Sequence, residues 1–164
     1  MSKDDNRLIL LGTKGGPRIA KGTAWPTSNL LVVEGKPYLI DAGLGVTRQV
    51  CEAGFMPFDL DRIFITHNHS DHNLELGGLL HTGWMSGPLR EIEIYGAPGV
   101  DNLMKGFFQS QSFDISIRVE DEGVVPLKPD EAHVAAGRAA VSAARTALGG
   151  GNAKRGPSLV DFLW

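Results

Sequence analysis

The chain has 164 residues, of which 42% are hydrophobic and 21% charged, and its net charge is −3. That is ordinary globular composition, long enough for one domain with a real core. It gives no support to a general nucleic-acid binder, which carries a basic patch or stripe. The lone Cys51 rules out an intrachain disulfide. The polar start Met1-Ser2-Lys3-Asp4-Asp5-Asn6 has no apolar signal core, and no apolar run approaches the ~20 residues of a membrane span. A cytoplasmic protein with no membrane association is expected.

Leu8-Ile9-Leu10-Leu11 predicts a strand running into the glycine-rich turn Gly12-Thr13-Lys14-Gly15-Gly16-Pro17. That turn lacks the ending of a phosphate-binding loop and reads as a plain turn. Ser28 to Val33 and Tyr38-Leu39-Ile40 flank the turn Glu34-Gly35-Lys36-Pro37, so they predict a hairpin. Asp41-Ala42-Gly43 closes it. Val46 to Ala53 is compatible with a helix stopped by Gly54, and Cys51 is expected to be buried in it rather than reactive. Leu60 to Ile65 predicts a strand. Leu74, Leu76, Leu79 and Leu80 suggest a helix despite Gly77-Gly78. Glu91 to Tyr95 alternates as a strand, Pro98 to Phe108 suggests a helix, and Ile115-Ser116-Ile117-Arg118-Val119 alternates again as a strand. About six strands and three helices, interleaved, favour an α/β layered fold.

Composition shifts near residue 133. Val134 to Leu148 holds seven alanines, followed by Gly149-Gly150-Gly151 and the end Ser158 to Trp164. The chain therefore divides into residues 1–130 and a divergent Ala/Gly-rich tail, 131–164. One reading of the tail is a C-terminal helix with Val134, Val141 and Leu148 on one stripe. The other is a reading-frame change in G+C-rich coding DNA, tested by translating the other two frames downstream of about codon 125.

Between strand and helix stands Thr66-His67-Asn68-His69-Ser70-Asp71-His72-Asn73, which holds three of the five histidines. His67 and His69, at i and i+2 in extended chain, leave the same face and can reach one metal. Asp71 and His72 follow where the chain turns, and can aim at a second position. Imidazole and carboxylate are ligands that zinc accepts. Two metals about 3.5–4 Å apart could clamp the attacking and leaving oxygens of a substrate. The competing reading is a solvated polar loop, which three histidines and an aspartate behind an apolar strand disfavour.

The segment Thr66 to His72 resembles the Thr-His-x-His-x-Asp-His signature of the metallo-β-lactamase-fold hydrolases. Leu11 to Pro17, Ser28-Asn29-Leu30-Leu31-Val32, Tyr38 to Gly43 and Gly77-Gly78-Leu79-Leu80 are similar to flanking segments of ribonuclease Z-like and arylsulfatase-like members. The resemblance covers about residues 7 to 125. It implies the first half of an αββα sandwich. His67 and His69 match ligands of the first metal, and Asp71 and His72 ligands of the second. Asp71 also matches a proton acceptor in catalysis, and Asp41 matches a carboxylate supporting the site from behind. The family's full site takes five histidines and two aspartates, three of them from a second half that has no match here. His133 is a tentative further ligand whose flanks do not resemble the family's. Asp161 is a weaker one, and His81 is expected to be a helix residue rather than a ligand.

The resemblance implies a zinc-dependent hydrolase of phosphodiesters or sulfate esters, holding one or two zinc ions. The substrate would be a small ester or a nucleic-acid-derived one. The alternative is a truncated, inactive fragment or an interaction module. An uncovered sheet would expose apolar surface and favour a homodimer.

Overall fold

The computed structural model describes residues 6–87 and 92–123. His133, Asp161 and the alanine-rich tail lie outside these residues, as does the boundary between residues 130 and 131. The elements in chain order are β1 (Arg7–Gly12), β2 (Ser28–Val33), β3 (Lys36–Ile40), α1 (Val46–Glu52), a 3-10 turn (Pro57–Asp59), β4 (Arg62–Phe64), α2 (Ser70–Asn73), α3 (Leu76–Ser86), β5 (Glu93–Tyr95), α4 (Val100–Ser110) and α5 (Ser112–Asp121).

The five strands form one sheet in sequence order. β1, β2 and β3 pair antiparallel, whereas β3, β4 and β5 are parallel. The β2–β3 hairpin turns at Glu34 (φ 51°) and Gly35 (φ 77°). Two successive positive φ angles give the turn whose twist matches the strands.

One face of the sheet carries Leu30, Val32, Leu39, Ile63 and Ile94, all buried. Val46 and Val50 of α1, Leu76, Leu79 and Leu80 of α3, and Val100 and Met104 of α4 complete this single core. Each fully buried aliphatic side chain contributes roughly 1.5–3 kcal/mol. Gly77 is required inside α3 because a Cβ there would meet the Phe107 ring.

Among the described residues no element covers the other face. Cross-strand register places Leu8, Leu31, Tyr38, Arg62 and Glu93 in one row, and Leu10, Asn29, Ile40, Phe64 and Tyr95 in the next. Leu8 is 58% exposed and Leu10 61%. Leu31, Val33 and Phe64 are also exposed. Phe64 stacks on Tyr95 with ring centroids 5.2 Å apart.

Two expectations are corrected. Residues 115–119 are not a strand but the middle of α5, so the described residues hold five strands and five α-helices. The i,i+4 pairs Asp114–Arg118 and Arg118–Glu122 favour helix. Ile115 and Val119 also recur at helical spacing, so the apparent alternation was ambiguous. Cys51 is exposed rather than buried. Val46 and Val50 take the inward face of α1, and the next residue, about 100° further round, turns outward.

Candidate metal centre

The histidine segment leaves the C-terminal end of β4, beside the end of β3. Asp41 is where the two meet. It has φ 63°, a left-handed backbone that aspartate tolerates better than most residues. Its amide donates to Phe64 O at 2.7 Å. The neighbouring Ala42 amide donates to His72 O at 2.6 Å, and Glu75 N–H returns to Ala42 O at 3.0 Å. The β3 end is thus stitched to α2 and α3. Glu75 completes the stitch by accepting from the Gly45 and Thr47 amides. A Cβ at Gly43 would collide with Asp71 O and lie 2.9 Å from both Thr27 O and Pro26 Cβ. Glycine there lets α2 approach the sheet.

The Asp41 carboxylate is buried and fully engaged. Oδ1 accepts from the Thr66 amide at 2.8 Å, and Thr66 Oγ1 lies 2.9 Å from each carboxylate oxygen. His72 Nδ1 lies 2.8 Å from Oδ2. A hydrogen bond to that acceptor puts the proton on Nδ1 and leaves the Nε2 lone pair outward. Nε2 stands 3.4 Å from Asp71 Oδ2. Asp71 Oδ2 also accepts the Gly16 amide at 2.6 Å. On the other side, His67 Nε2 is 3.2 Å from His69 Nδ1. The His67 ring lies 4.0 Å, centre to centre, from His72, which brings the two pairs together.

Electrostatics favour donor forms. Burial, then the neighbouring His72 and His69, push the His67 pKa below its ordinary value, so a neutral imidazole is preferred. Burial of Asp71 works to raise its pKa. The Gly16 amide, its own amide and the two histidines outweigh that and hold it below the ordinary carboxylate value.

A tetrahedral ion with bonds of 2.0–2.1 Å holds its donors about 3.3–3.4 Å apart. The His67–His69 and Asp71–His72 pairs both have about that spacing. Among the described residues no three His, Cys, Asp or Glu side chains surround one point. The donor chemistry therefore fits metal as two adjacent half-shells, each short of the three or four protein ligands of ordinary zinc sites.

His81 is elsewhere. On α3 it packs near Trp84 and Phe107, with Nε2 3.1 Å from Asp114 Oδ2, as expected of a helix residue. Sequence reasoning missed three contributors: Gly16, Thr66 and Glu75. Thr66 stood inside the motif and could have been found by asking what anchors it. Nothing local signals Gly16, which reaches Asp71 across 55 residues.

Residues 22–140 match the family described as the metallo-beta-lactamase superfamily. The chain is 36% identical over 108 residues to a ribonuclease Z of Methanothermobacter thermautotrophicus, covering 63% of this chain and 35% of that protein. It is 34% identical over 115 residues to a ribonuclease Z of Mycolicibacterium gilvum, covering 68% and 40%. Human tRNase Z, short form, superposes with TM-score 0.57 at 30% identity, covering 64% of this chain and 40% of that one. The chain thus spans two fifths or less of the length of these relatives. The β3–β4 junction that gathers Asp41, Thr66 and the histidines lies wholly within the matched residues, and the chain belongs to the metallo-beta-lactamase superfamily.

Proposed function

We propose that this chain carries the metal-binding half of a metal-dependent phosphodiester hydrolase. The observation that carries this reading is the pairing of donors: His67 with His69, and Asp71 with His72, at the spacing of a tetrahedral ion. His67 and His69 would hold one ion, and Asp71 and His72 a second, with zinc the metal best matched to this donor set. Zinc bound there would act as a Lewis acid and make hydroxide available near neutral pH.

The chain's own residues prepare that chemistry. Asp41 fixes the His72 tautomer and orientation, and Thr66 fixes Asp41. The lowered His67 pKa keeps a lone pair available at neutral pH. Asp71, kept ionised, is the proton acceptor nearest the donor cluster. The ribonuclease Z relatives favour a phosphodiester of nucleic acid over a sulfate ester or another small ester. A cytoplasmic setting belongs to the same reading, and cell fractionation tests it. His133 remains a proposed further donor.

A second reading is a catalytically inactive fragment or interaction module. It is favoured by the two-donor half-shells among the described residues. One experiment separates the two. The purified chain is analysed for metal content and assayed on bis(p-nitrophenyl) phosphate, beside His69→Ala. Near-stoichiometric zinc, with turnover lost in the variant, supports the enzyme. No bound metal and no turnover supports the fragment.

A further inference from the structure

One residue inside the motif is not used by the donor pairs. Asn68 stands between His67 and His69 and is exposed, yet its side chain is tied down: Nδ2 donates to Pro98 O at 2.8 Å. The two imidazoles that it separates lie together, with ring centroids 4.7 Å apart, and His69 is extended (φ −72°, ψ 147°). In extended chain the middle of three side chains leaves the face opposite its neighbours. The Asn68 amide therefore grips from behind a segment whose front carries two donors.

The grip is on the core. Pro98 lies in the turn from β5 to α4. Before that turn, Ile65 N–H donates to Tyr95 O at 2.7 Å, and after it Leu103 N–H donates to Gly99 O at 3.0 Å. Val100 and Met104 sink α4 into the hydrophobic core. Gly99 (φ 108°) turns the chain into the helix, and a Cβ there would stand 3.3 Å from Asn68 Nδ2. The accepting carbonyl is thus part of a fixed turn that closely approaches the asparagine.

The segment is also held at its ends, by Thr66 N–H on Asp41 Oδ1 and by His72 N–H on His69 O. Among the described residues no backbone hydrogen bond holds Asn68 itself. Anchors at residues 66 and 69 leave the stretch free to roll about its own length. A side-chain tether between them opposes that roll.

We infer that Asn68 is a positioning residue: through its hydrogen bond to Pro98 O it sets the roll of His67-Asn68-His69 and so aims both imidazoles at one ion. The consequence for metal rests on the hydrolase reading above; the geometry does not. A metal constellation works only when its ligands are held within about 0.5 Å and 10–20°, and a roll swings both rings together. Asp71 and His72 lie outside this control, because His72 is oriented by Asp41 and Asp71 by the Gly16 amide. One net hydrogen bond is worth about fivefold in an equilibrium constant. Without it the aimed fraction of the segment falls, and apparent zinc affinity falls with that fraction.

The test compares the full chain with Asn68→Leu and Asn68→Asp. Leucine has similar bulk and no donor. Aspartate keeps the shape and sets a carboxylate against the Pro98 carbonyl. In the metal-free protein, the nuclear Overhauser contact between the His67 and His69 ring protons reads the aim directly. The parent is expected to show it and both variants to lose most of it, with melting temperatures within about 4 °C of the parent. Chelator competition is expected to show about fivefold weaker zinc binding in Asn68→Leu. Only this variant is read for zinc, because the carboxylate of Asn68→Asp itself attracts cations. A contact absent from the parent, or kept in either variant, overturns the inference, as does parental zinc affinity in Asn68→Leu. Loss of the contact together with a much larger fall in melting temperature marks a general structural role and overturns it too. A parent that binds no zinc counts against the hydrolase reading alone, and the ring contact in the metal-free protein still decides the role of Asn68.

Discussion

Replacing Asp41 tests whether one buried carboxylate organises the whole centre. In Asp41→Ala the Thr66 amide and the His72 ring lose their acceptor, while the Thr66 hydroxyl can rotate elsewhere. Each buried donor left without a partner costs about 1–3 kcal/mol. Alanine at φ 63° adds about 1 kcal/mol, because it lacks the polar side chain that eases this conformation. The sum is about 3–7 kcal/mol, a large part of the ~5–15 kcal/mol typical of a domain. At about 4 °C per kcal/mol for a domain of this size, it corresponds to a fall in Tm of roughly 12–28 °C. Asp41→Asn separates stability from tautomer control. Its carbonyl can still accept from Thr66, and asparagine tolerates the backbone, so the cost is about 1 kcal/mol. Its amide group then faces His72 Nδ1, which drives the ring proton to Nε2. Zinc affinity is expected to fall about 10–100-fold, as for other lost ligand supports. Differential scanning fluorimetry and chelator competition read the two effects. If Asp41→Ala melts within a few degrees of the parent, or Asp41→Asn keeps parental zinc affinity, the reasoning is wrong.

Three further outcomes are expected. Gly43→Ala drives a methyl group into Asp71 O, Thr27 O and Pro26, and should destabilise the fold by about 1–3 kcal/mol, measured by urea denaturation. Gly77→Ala should cost a similar amount through the Phe107 ring, and Gly77→Ala with Phe107→Leu should recover part of it. Additive losses in that double-mutant cycle would show that the two side chains do not touch. Stability of the metal-free chain should fall with acid in two stages. The depressed His67 pKa means the unfolded chain binds more protons as pH drops through about 6.5, so stability is lost there. The depressed Asp71 pKa gives stability present above its unfolded value of about 3.9 and lost as pH falls through its folded value. His67→Gln should flatten the first stage in melts between pH 5 and 8.

What could be read in advance divides by distance along the chain. The donors sit within six residues, and their pairing follows from local geometry: an extended His-x-His, then a turn. β1 to β3 and α1 were legible because apolar runs and glycine turns are local signals. Residues 115–119 were not, because Ile115, Ile117 and Val119 fit both a two-residue and a four-residue repeat. Only the charge pairs of Asp114, Arg118 and Glu122 decide between them. Cys51 faces outward because the inward stripe of α1, Val46 and Val50, is set by the core it packs on. The Gly16 bond to Asp71 depends on how the β1 turn folds over α2, which no local pattern encodes.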